Sequence, residues 1–482
     1  MKIKDILDRL DVISINYMGK EDLEVESIAT DSRNPKGTIF FGYRGESYDS
    51  NCDVENIYNK GMAKFIISEK DLGAEIPHAV IKNGRSMLPK AISAFYGNPM
   101  EKYRSMAVTG TNGKTTSTYI MDGVFNEAGY KTCRIGTTGI KVDNTFIETD
   151  NTTPSPALVF ESLKKGLDMG CAAFSIEVSS HALAQGRING AFFETAVFTN
   201  LTGDHLDFHK DMEHYFRAKA LLFTDDYSKY RVVNTGHEYG EKLAKQISKN
   251  LITYSGLNNN ADIFPVKYSS SVHGIDAEIS VFGKIINIHS MLIGEYNLEN
   301  ILGVIGAGYS MGIDLDVIAK GIKNLQNVPG RLEKYMNKNI TAFVDYAHTD
   351  DALVNAISSL KQVAKGKIIT VFGAGGDRDA TKRPRMAHAS TSLSDITIIT
   401  SDNPRTEDPE KIIDDTVKGV VSGSSYYVEQ DREKAIEKAV SLACENDIIF
   451  IAGKGHETYQ IIGKEKHHFD DREIVQKYLG RL

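Results

Sequence analysis

The chain of 482 residues has no tryptophan, four cysteines, 11 prolines and no run of 18 apolar residues. Each scarcity closes off a class of protein. Without tryptophan, one favoured ring for stacking on sugars or bases is missing. Cys52, Cys133, Cys171 and Cys444 form no C-x-x-C pair. Zinc ribbons and thioredoxin-like redox centres are therefore not expected, and four reduced thiols are. No segment reaches the length of a membrane-spanning helix. The start, MKIKDILDRL, carries acids where a signal peptide needs an apolar core, so a cytoplasmic protein is expected. Positive charge is short as well: 56 basic and 64 acidic residues give 56 − 64 = −8. A dedicated nucleic-acid binder is usually basic, so no nucleic-acid partner is expected. Cations gathered in one site can still hold an acidic ligand.

What remains, 25% charged and 41% hydrophobic residues with 41 glycines, is the composition of folded domains and excludes collagen or wholesale disorder. At roughly 150 residues per domain the length predicts three domains. Residues 1–99 alternate helical stretches with short apolar runs (38–45, 63–68 and 78–82) and end at Tyr96-Gly97-Asn98-Pro99, a chain breaker. Residues 100–329 open with the strand SMAVT, a glycine-containing turn and a helix from Lys114 whose Ile120, Met121, Val124, Phe125 and Ala128 share a face. Buried-strand candidates follow at 172–178, 195–201 and 231–234, so a parallel sheet is expected, with a hairpin over 275–293 turning at Gly283 and a helix over 296–310. Pro329-Gly330 marks the next boundary. Residues 330–482 alternate again, with strands at 342–347, 367–373, 395–400 and 447–453. That pattern predicts a Rossmann-like doubly wound sheet with ligands at the carboxyl ends of its strands.

The first chemical signal is Gly110-Thr111-Asn112-Gly113-Lys114-Thr115-Thr116, between a strand and a helix. Backbone N–H groups and a helix N-terminus can face phosphates there, with Lys114 reaching them and Thr115 ligating Mg²⁺. The generic G-x-x-x-x-G-K-[ST] pattern is not met, because position 108 is Val. A plain glycine turn capping a helix is the alternative. A lysine in the first helical turn argues against it, since it opposes the macrodipole unless an anion is present. Glu177, at the end of a strand in the same sheet, and His205, after the next strand, are candidate metal ligands. Lys219 on its own reads as an ordinary helix lysine.

The motifs TGTNGKTT, SIEVSSHAL, TNLTGDHLDFH, YFRAKALLF, PGRLE, DYAHTDDAL, FGAGGDRDATKRP, SDNPR and AGKGHE occur in this order along the whole chain. As an ordered set they resemble the Mur ligase family, whose own form of the phosphate loop is the shortened one. The resemblance implies an α/β protein of three domains: an N-terminal UDP-binding domain (1–99), a central parallel-sheet P-loop ATPase-like domain (100–329) and a C-terminal, Rossmann-like, amino-acid-binding domain (330–482). It implies ATP-dependent amide formation through an acyl-phosphate on UDP-MurNAc-L-Ala-D-Glu, with Mg²⁺ as cofactor and a monomeric enzyme. It carries Lys114, His205 and Lys219 over as catalytic residues. Thr115, Glu177, His205 and Lys219 (the last as a carbamate) match metal ligands. Asn297, Asn300, Arg331 and Asp345 join the loop 110–116 as ATP-binding residues, although a helix cap would also explain the two asparagines. Ser32, Thr152, Thr153, Ser179, Gln185 and Arg187 match contacts to the nucleotide-sugar peptide. The first domain departs from many relatives by reading Tyr48-Asp49-Ser50-Asn51 where they carry Asp-Gly-His.

The tetrad Asp402-Asn403-Pro404-Arg405 resembles that of diaminopimelate-adding members. Diaminopimelate ends in a second ammonium and carboxylate. Arg405 can grip that carboxylate bidentately and Glu457 can take the ammonium. By family position the resemblance adds Arg378, and with Gly453 it completes the expected pocket. A sibling ligase adding D-Ala-D-Ala, or glutamate to folate, should lack the tetrad. A non-catalytic nucleotide-binding scaffold should have lost Lys114, Glu177, His205 or Lys219. A dinucleotide oxidoreductase fails for want of G-x-G-x-x-G. Because ATP and amino-acid residues fall in different blocks, domain closure about hinges near Pro99 and Pro329 is expected.

Overall fold

The computed structural model describes residues 1–45 and 48–481. The chain divides into two compact units, Met1–Ile263 with Leu302–Gly321, and Phe264–Ile301 with Ile322–Leu482.

The first unit holds two sheets. The N-terminal one comprises β1 (Val12–Asn16), β2 (Ile28–Ala29), β3 (Ile39–Phe41), β4 (Phe65–Ser68) and β5 (His78–Ile81), in the order β1-β5-β4-β3-β2. The three apolar runs foreseen here are β3 to β5, all fully buried. The edge strand β1 runs antiparallel to β5 and leaves Ile13 66% exposed.

The larger sheet contains β6 (Arg104–Thr109), β7 (Thr132–Gly136), β8 (Gly139–Val142), β9 (Thr145–Ile147), β10 (Ala173–Glu177), β11 (Phe193–Phe198), β12 (Ser228–Asn234) and β13 (Leu251–Tyr254). Their order is β13-β12-β11-β6-β10-β7-β8-β9, with parallel pairing from β13 to β7. Strands buried on both faces read as continuous apolar runs, which is why β6, β10 and β11 were legible. The helix Lys114–Glu127 turns Ile120, Met121, Val124 and Phe125 inward. Because β6 lies between β10 and β11, the turns after all three strands open at one edge of the sheet.

The second unit carries most of β14 (Ile263–Ser271), and the antiparallel hairpin of β15 (Gly274–Val281) and β16 (Lys284–Ser290) turning at Phe282-Gly283. Its main sheet uses β17 (Glu333–Asn337), β18 (Ile340–Asp345), β19 (Ile368–Ala374), β20 (Ile396–Ser401), β21 (Tyr426–Val428) and β22 (Ile448–Ala452). The order is β17-β18-β22-β19-β20-β21, parallel except for β17. Helices cover both faces, with separate cores around Phe343 and Phe372 on one side and Val344 and Ile451 on the other. This is the doubly wound sheet expected for the third block. A two-stranded hairpin, β23 (Tyr459–Ile462) and β24 (Glu465–His468), was not foreseen.

All four cysteines are free thiols. Cys133 and Cys171, distant in sequence, lie on neighbouring elements, and burial pushes both thiols up. No helix among the described residues is long and apolar enough to cross a membrane.

Candidate active site

The loop after β6 is built from left-handed glycines. Gly113, at φ 86°, caps the helix Lys114–Glu127, and Gly110 sits at φ 156° where a Cβ would collide with Thr199 Oγ1. The turn after β11 braces the loop. Thr111 N donates to Asn200 O at 3.0 Å, Asn112 N to Asn200 Oδ1 at 2.9 Å, and Thr199 Oγ1 to Asn112 O at 2.6 Å. Lys114 Nζ folds back to donate to Gly110 O at 2.9 Å and Thr111 O at 2.7 Å. Carbonyls of its own loop thus hold a cation that the helix dipole disfavours.

Glu177, 1% exposed at the end of β10, is the anionic counterpart. It accepts from Thr115 Oγ1 at 3.0 Å, from Thr137 N at 2.9 Å and from Thr137 Oγ1 at 3.1 Å. Among the described residues it has no ion-pair partner. A buried carboxylate supported only by neutral donors, against a phosphate loop, fits a bound hard cation. Gly136 leaves the room: a Cβ there would strike the Glu177 carboxylate. Gly136 and Thr137 were missed by the sequence reading, because only the pairing of β7 beside β10 brings them to Glu177.

Lys219, 1% exposed, donates to Gly110 O at 2.8 Å. Burial and then the nearby Lys114 charge hold its amine well below the ordinary lysine range, opposed by Asp204. His205, at φ 55°, precedes the short helix Leu206–His209, with its Nε2 3.4 Å from Asp204 and its ring 4.9 Å from that of His181. The described residues contain no cluster of three or more His, Cys, Asp or Glu side chains poised around one ion.

Four of the six residues expected at the nucleotide-sugar peptide meet around Glu177. Thr153 Oγ1 donates to Glu177 O at 2.9 Å and lies 3.3 Å from Ser179 Oγ. Arg187 Nη1 donates to Thr153 O at 3.1 Å, and Thr152 Oγ1 is 3.1 Å from Thr137 Oγ1. Ser179 caps the helix Ser180–Ala184 and Gln185 ends it. Ser32 lies in the N-terminal sheet region, within reach of the Tyr48 hydroxyl. Where the sequence departs from Asp-Gly-His, Asn51 is locked by Asp49 Oδ1 at 2.8 Å and Glu69 Oε2 at 3.0 Å.

Asn297, Asn300, Arg331 and Asp345 belong to the second unit. Asn297 Nδ2 donates to Ile293 O at 2.8 Å, and Asn300 Nδ2 to Asn297 Oδ1 at 3.1 Å. Asp345 accepts from Leu332 N and Ala347 N, both at 2.8 Å, while burial pushes its carboxyl up and Arg331 opposes that.

The residues expected at the amino acid gather at the carboxyl ends of β19, β20 and β22. Arg405, at φ 51°, is held by Ile461 O on its N–H at 3.1 Å and by Gly463 N on its carbonyl at 2.7 Å. Its Nη1 donates to Gly376 O at 2.8 Å. Asn403 Nδ2 donates to Glu457 Oε2 at 2.9 Å. Gly453, at φ 118°, lies where a Cβ would come 3.1 Å from Asp402 Oδ2. Arg378 is exposed, its Nη1 donating to Asp377 O at 3.2 Å, and Pro404 is buried. The β23–β24 hairpin, which carries Ile461 and Gly463, is the support that sequence reasoning missed.

Comparison with known proteins gives matches of this breadth. The family description "Mur ligase middle domain" fits residues 108–308 and "Mur ligase, glutamate ligase domain" fits 330–455. A Bacillus cereus protein named UDP-N-acetylmuramoyl-L-alanyl-D-glutamate–2,6-diaminopimelate ligase is 41% identical over 473 residues, covering 96% of each chain. A solved structure of a ligase of that name is 31% identical, with a TM-score of 0.76, over 100% of this chain and 99% of its own. A Thermotoga maritima MurF ligase solved with ADP is similar in fold, at 16% identity and a TM-score of 0.62, over 95% of this chain and 97% of its own.

Proposed function

The chain belongs to the Mur ligase family, and from that premise we propose that it joins diaminopimelate to UDP-N-acetylmuramoyl-L-alanyl-D-glutamate at the expense of ATP, as a cytoplasmic step of peptidoglycan precursor synthesis. The observation that carries the reading is identity of 41% to a relative of that name across nearly the whole of both chains.

The terminal carboxylate of the dipeptide attacks the γ-phosphorus of ATP, and ADP leaves. The amine of diaminopimelate then attacks the acyl-phosphate carbon, and the tetrahedral intermediate loses inorganic phosphate and a proton to give the amide. Two anions have to meet, so charge neutralisation and positioning dominate. Lys114 and the N–H groups of Gly110–Thr116 are assigned to the phosphates of ATP. By family position, Asn297, Asn300, Arg331 and Asp345 are assigned to the same nucleotide. Thr115, Glu177, His205 and Lys219 as its carbamate are assigned to Mg²⁺, which supplies Lewis-acid polarisation of phosphoryl oxygens when bound. Ser32, Thr152, Thr153, Ser179, Gln185 and Arg187 hold the nucleotide-sugar peptide. Arg378, Asp402, Asn403, Pro404, Arg405, Gly453 and Glu457 form the diaminopimelate pocket.

Mass spectrometry of the reaction tests this. The product expected is UDP-MurNAc-tripeptide, formed only when ATP, Mg²⁺, the dipeptide nucleotide and diaminopimelate are all present. Product without ATP, or none with the full mixture, would overturn the reading.

A further inference from the structure

Between Gly453 and Gly455 lies a lysine to which the sequence analysis gave no role. Lys454 has 0% side-chain exposure. Its ammonium donates to Asp402 Oδ1 at 3.3 Å, Asn403 Oδ1 at 3.1 Å and Glu457 Oε2 at 3.3 Å. Three side chains of the amino-acid pocket, from the turns after β20 and β22, thus converge on one buried cation. The backbone is shaped for it. Gly453 is at φ 118° and Gly455 at φ 55°, and a Cβ on Gly455 would come 2.7 Å from Tyr346 Cβ.

We propose that Lys454 is a positioning residue for amino-acid selection, orienting Asp402, Asn403 and Glu457 so that the remaining carboxylate oxygens of Asp402 and Glu457 receive the ammonium of diaminopimelate. The inference rests on the diaminopimelate reading above. The hydrogen-bond count supports it. Asn403 spends its Oδ1 on Lys454 and on Ile461 N at 2.9 Å, and its Nδ2 on Glu457 Oε2. Glu457 accepts both of its partners on Oε2, which leaves Oε1 for a ligand. Asp402 likewise gives Oδ1 to Lys454 and keeps Oδ2 beside Gly453. Charge agrees: two carboxylates and one ammonium sum to −1, the complement of one incoming ammonium. Without Lys454 the two carboxylates face each other unneutralised, in a site too buried to be screened cheaply. Gln460 Nε2 pins the same turn from outside the charge cluster, donating to Asp402 O at 2.6 Å.

Steady-state kinetics of Lys454→Gln and Gln460→Leu against wild type test the proposal, with thermal melts recorded alongside. Lys454→Gln is expected to raise KM for diaminopimelate about tenfold or more, with KM for ATP and for the dipeptide nucleotide within twofold. Gln460→Leu is expected to raise KM for diaminopimelate about threefold or more, with the same selectivity. A folded Lys454→Gln enzyme with unchanged KM for diaminopimelate, or with all three KM values raised together, would overturn it. If Lys454→Gln does not fold, Gln460→Leu decides by the same criterion. Wild-type enzyme that releases no phosphate in response to diaminopimelate would instead remove the functional reading beneath the proposal, so the two failures are distinguishable.

Discussion

Replacing Arg405 with alanine or lysine is expected to cut kcat/KM for diaminopimelate by about 10³-fold or more, with KM for ATP unchanged. A non-glycine residue in the left-handed region costs about 1–2 kcal/mol, and Arg405 occupies it at φ 51° because β23 and the turn after it hold both its N–H and its carbonyl. The guanidinium is then anchored by Gly376 O, and Gly375 lets it approach closely, since a Cβ there would lie 3.1 Å from Nη1. A planar fork with one arm anchored keeps further N–H groups for a distal carboxylate. A lysine is a point charge and cannot serve as both anchor and fork. Comparing kcat/KM for diaminopimelate and L-lysine checks this: the variants should lose the preference for diaminopimelate, not gain general binding. Retention of that preference in Arg405→Ala would remove Arg405 from the pocket.

The second large effect is expected at Lys219. Lys219→Ala and Lys219→Arg should each lower kcat by about 10²-fold or more. As an ammonium, Lys219 would be a buried cation beside the cation of Lys114, and burial and that neighbour both push its amine toward neutrality. A neutral amine adds CO₂ at its nitrogen and releases one proton, giving a carbamate anion. That single step turns a like-charge conflict into attraction and places oxygen ligands beside the phosphate loop. Arginine stays charged and cannot be carbamylated. Alanine leaves a vacant space that acetate can enter, so acetate should restore part of the activity of Lys219→Ala and none of Lys219→Arg. Phosphate release measured with and without acetate decides it. Full activity of Lys219→Arg would contradict the carbamate.

Much of this was legible in the sequence, for a physical reason that also marks where legibility ended. The parallel strands β6, β10, β11, β19, β20 and β22 are buried on both faces, so each announces itself as an apolar run. Short edge strands do not: β1 (VISIN) and β21 (YYV) are apolar but short and exposed, and β24 (EKHH) is polar and exposed throughout. The turn Gly110–Thr116 between strand and helix could be read because it is local to seven residues, and the place of Glu177 beside it because a strand end in the same sheet points to it. The contacts of Thr137, Asn200 and Lys454 could not, since they come from strand order and from turns that meet only in the fold. Lys219 looked ordinary in its helix. Only its complete burial against Gly110 shows how unusual its amine is.

Phosphate release from ATP with UDP-MurNAc-L-Ala-D-Glu and Mg²⁺, comparing meso-diaminopimelate, LL-diaminopimelate and L-lysine, tests the ligase activity and its choice of amino acid together. Release with one diaminopimelate isomer is expected at least about a hundredfold above that with lysine. Release with lysine equal to or above that with either diaminopimelate isomer would contradict it.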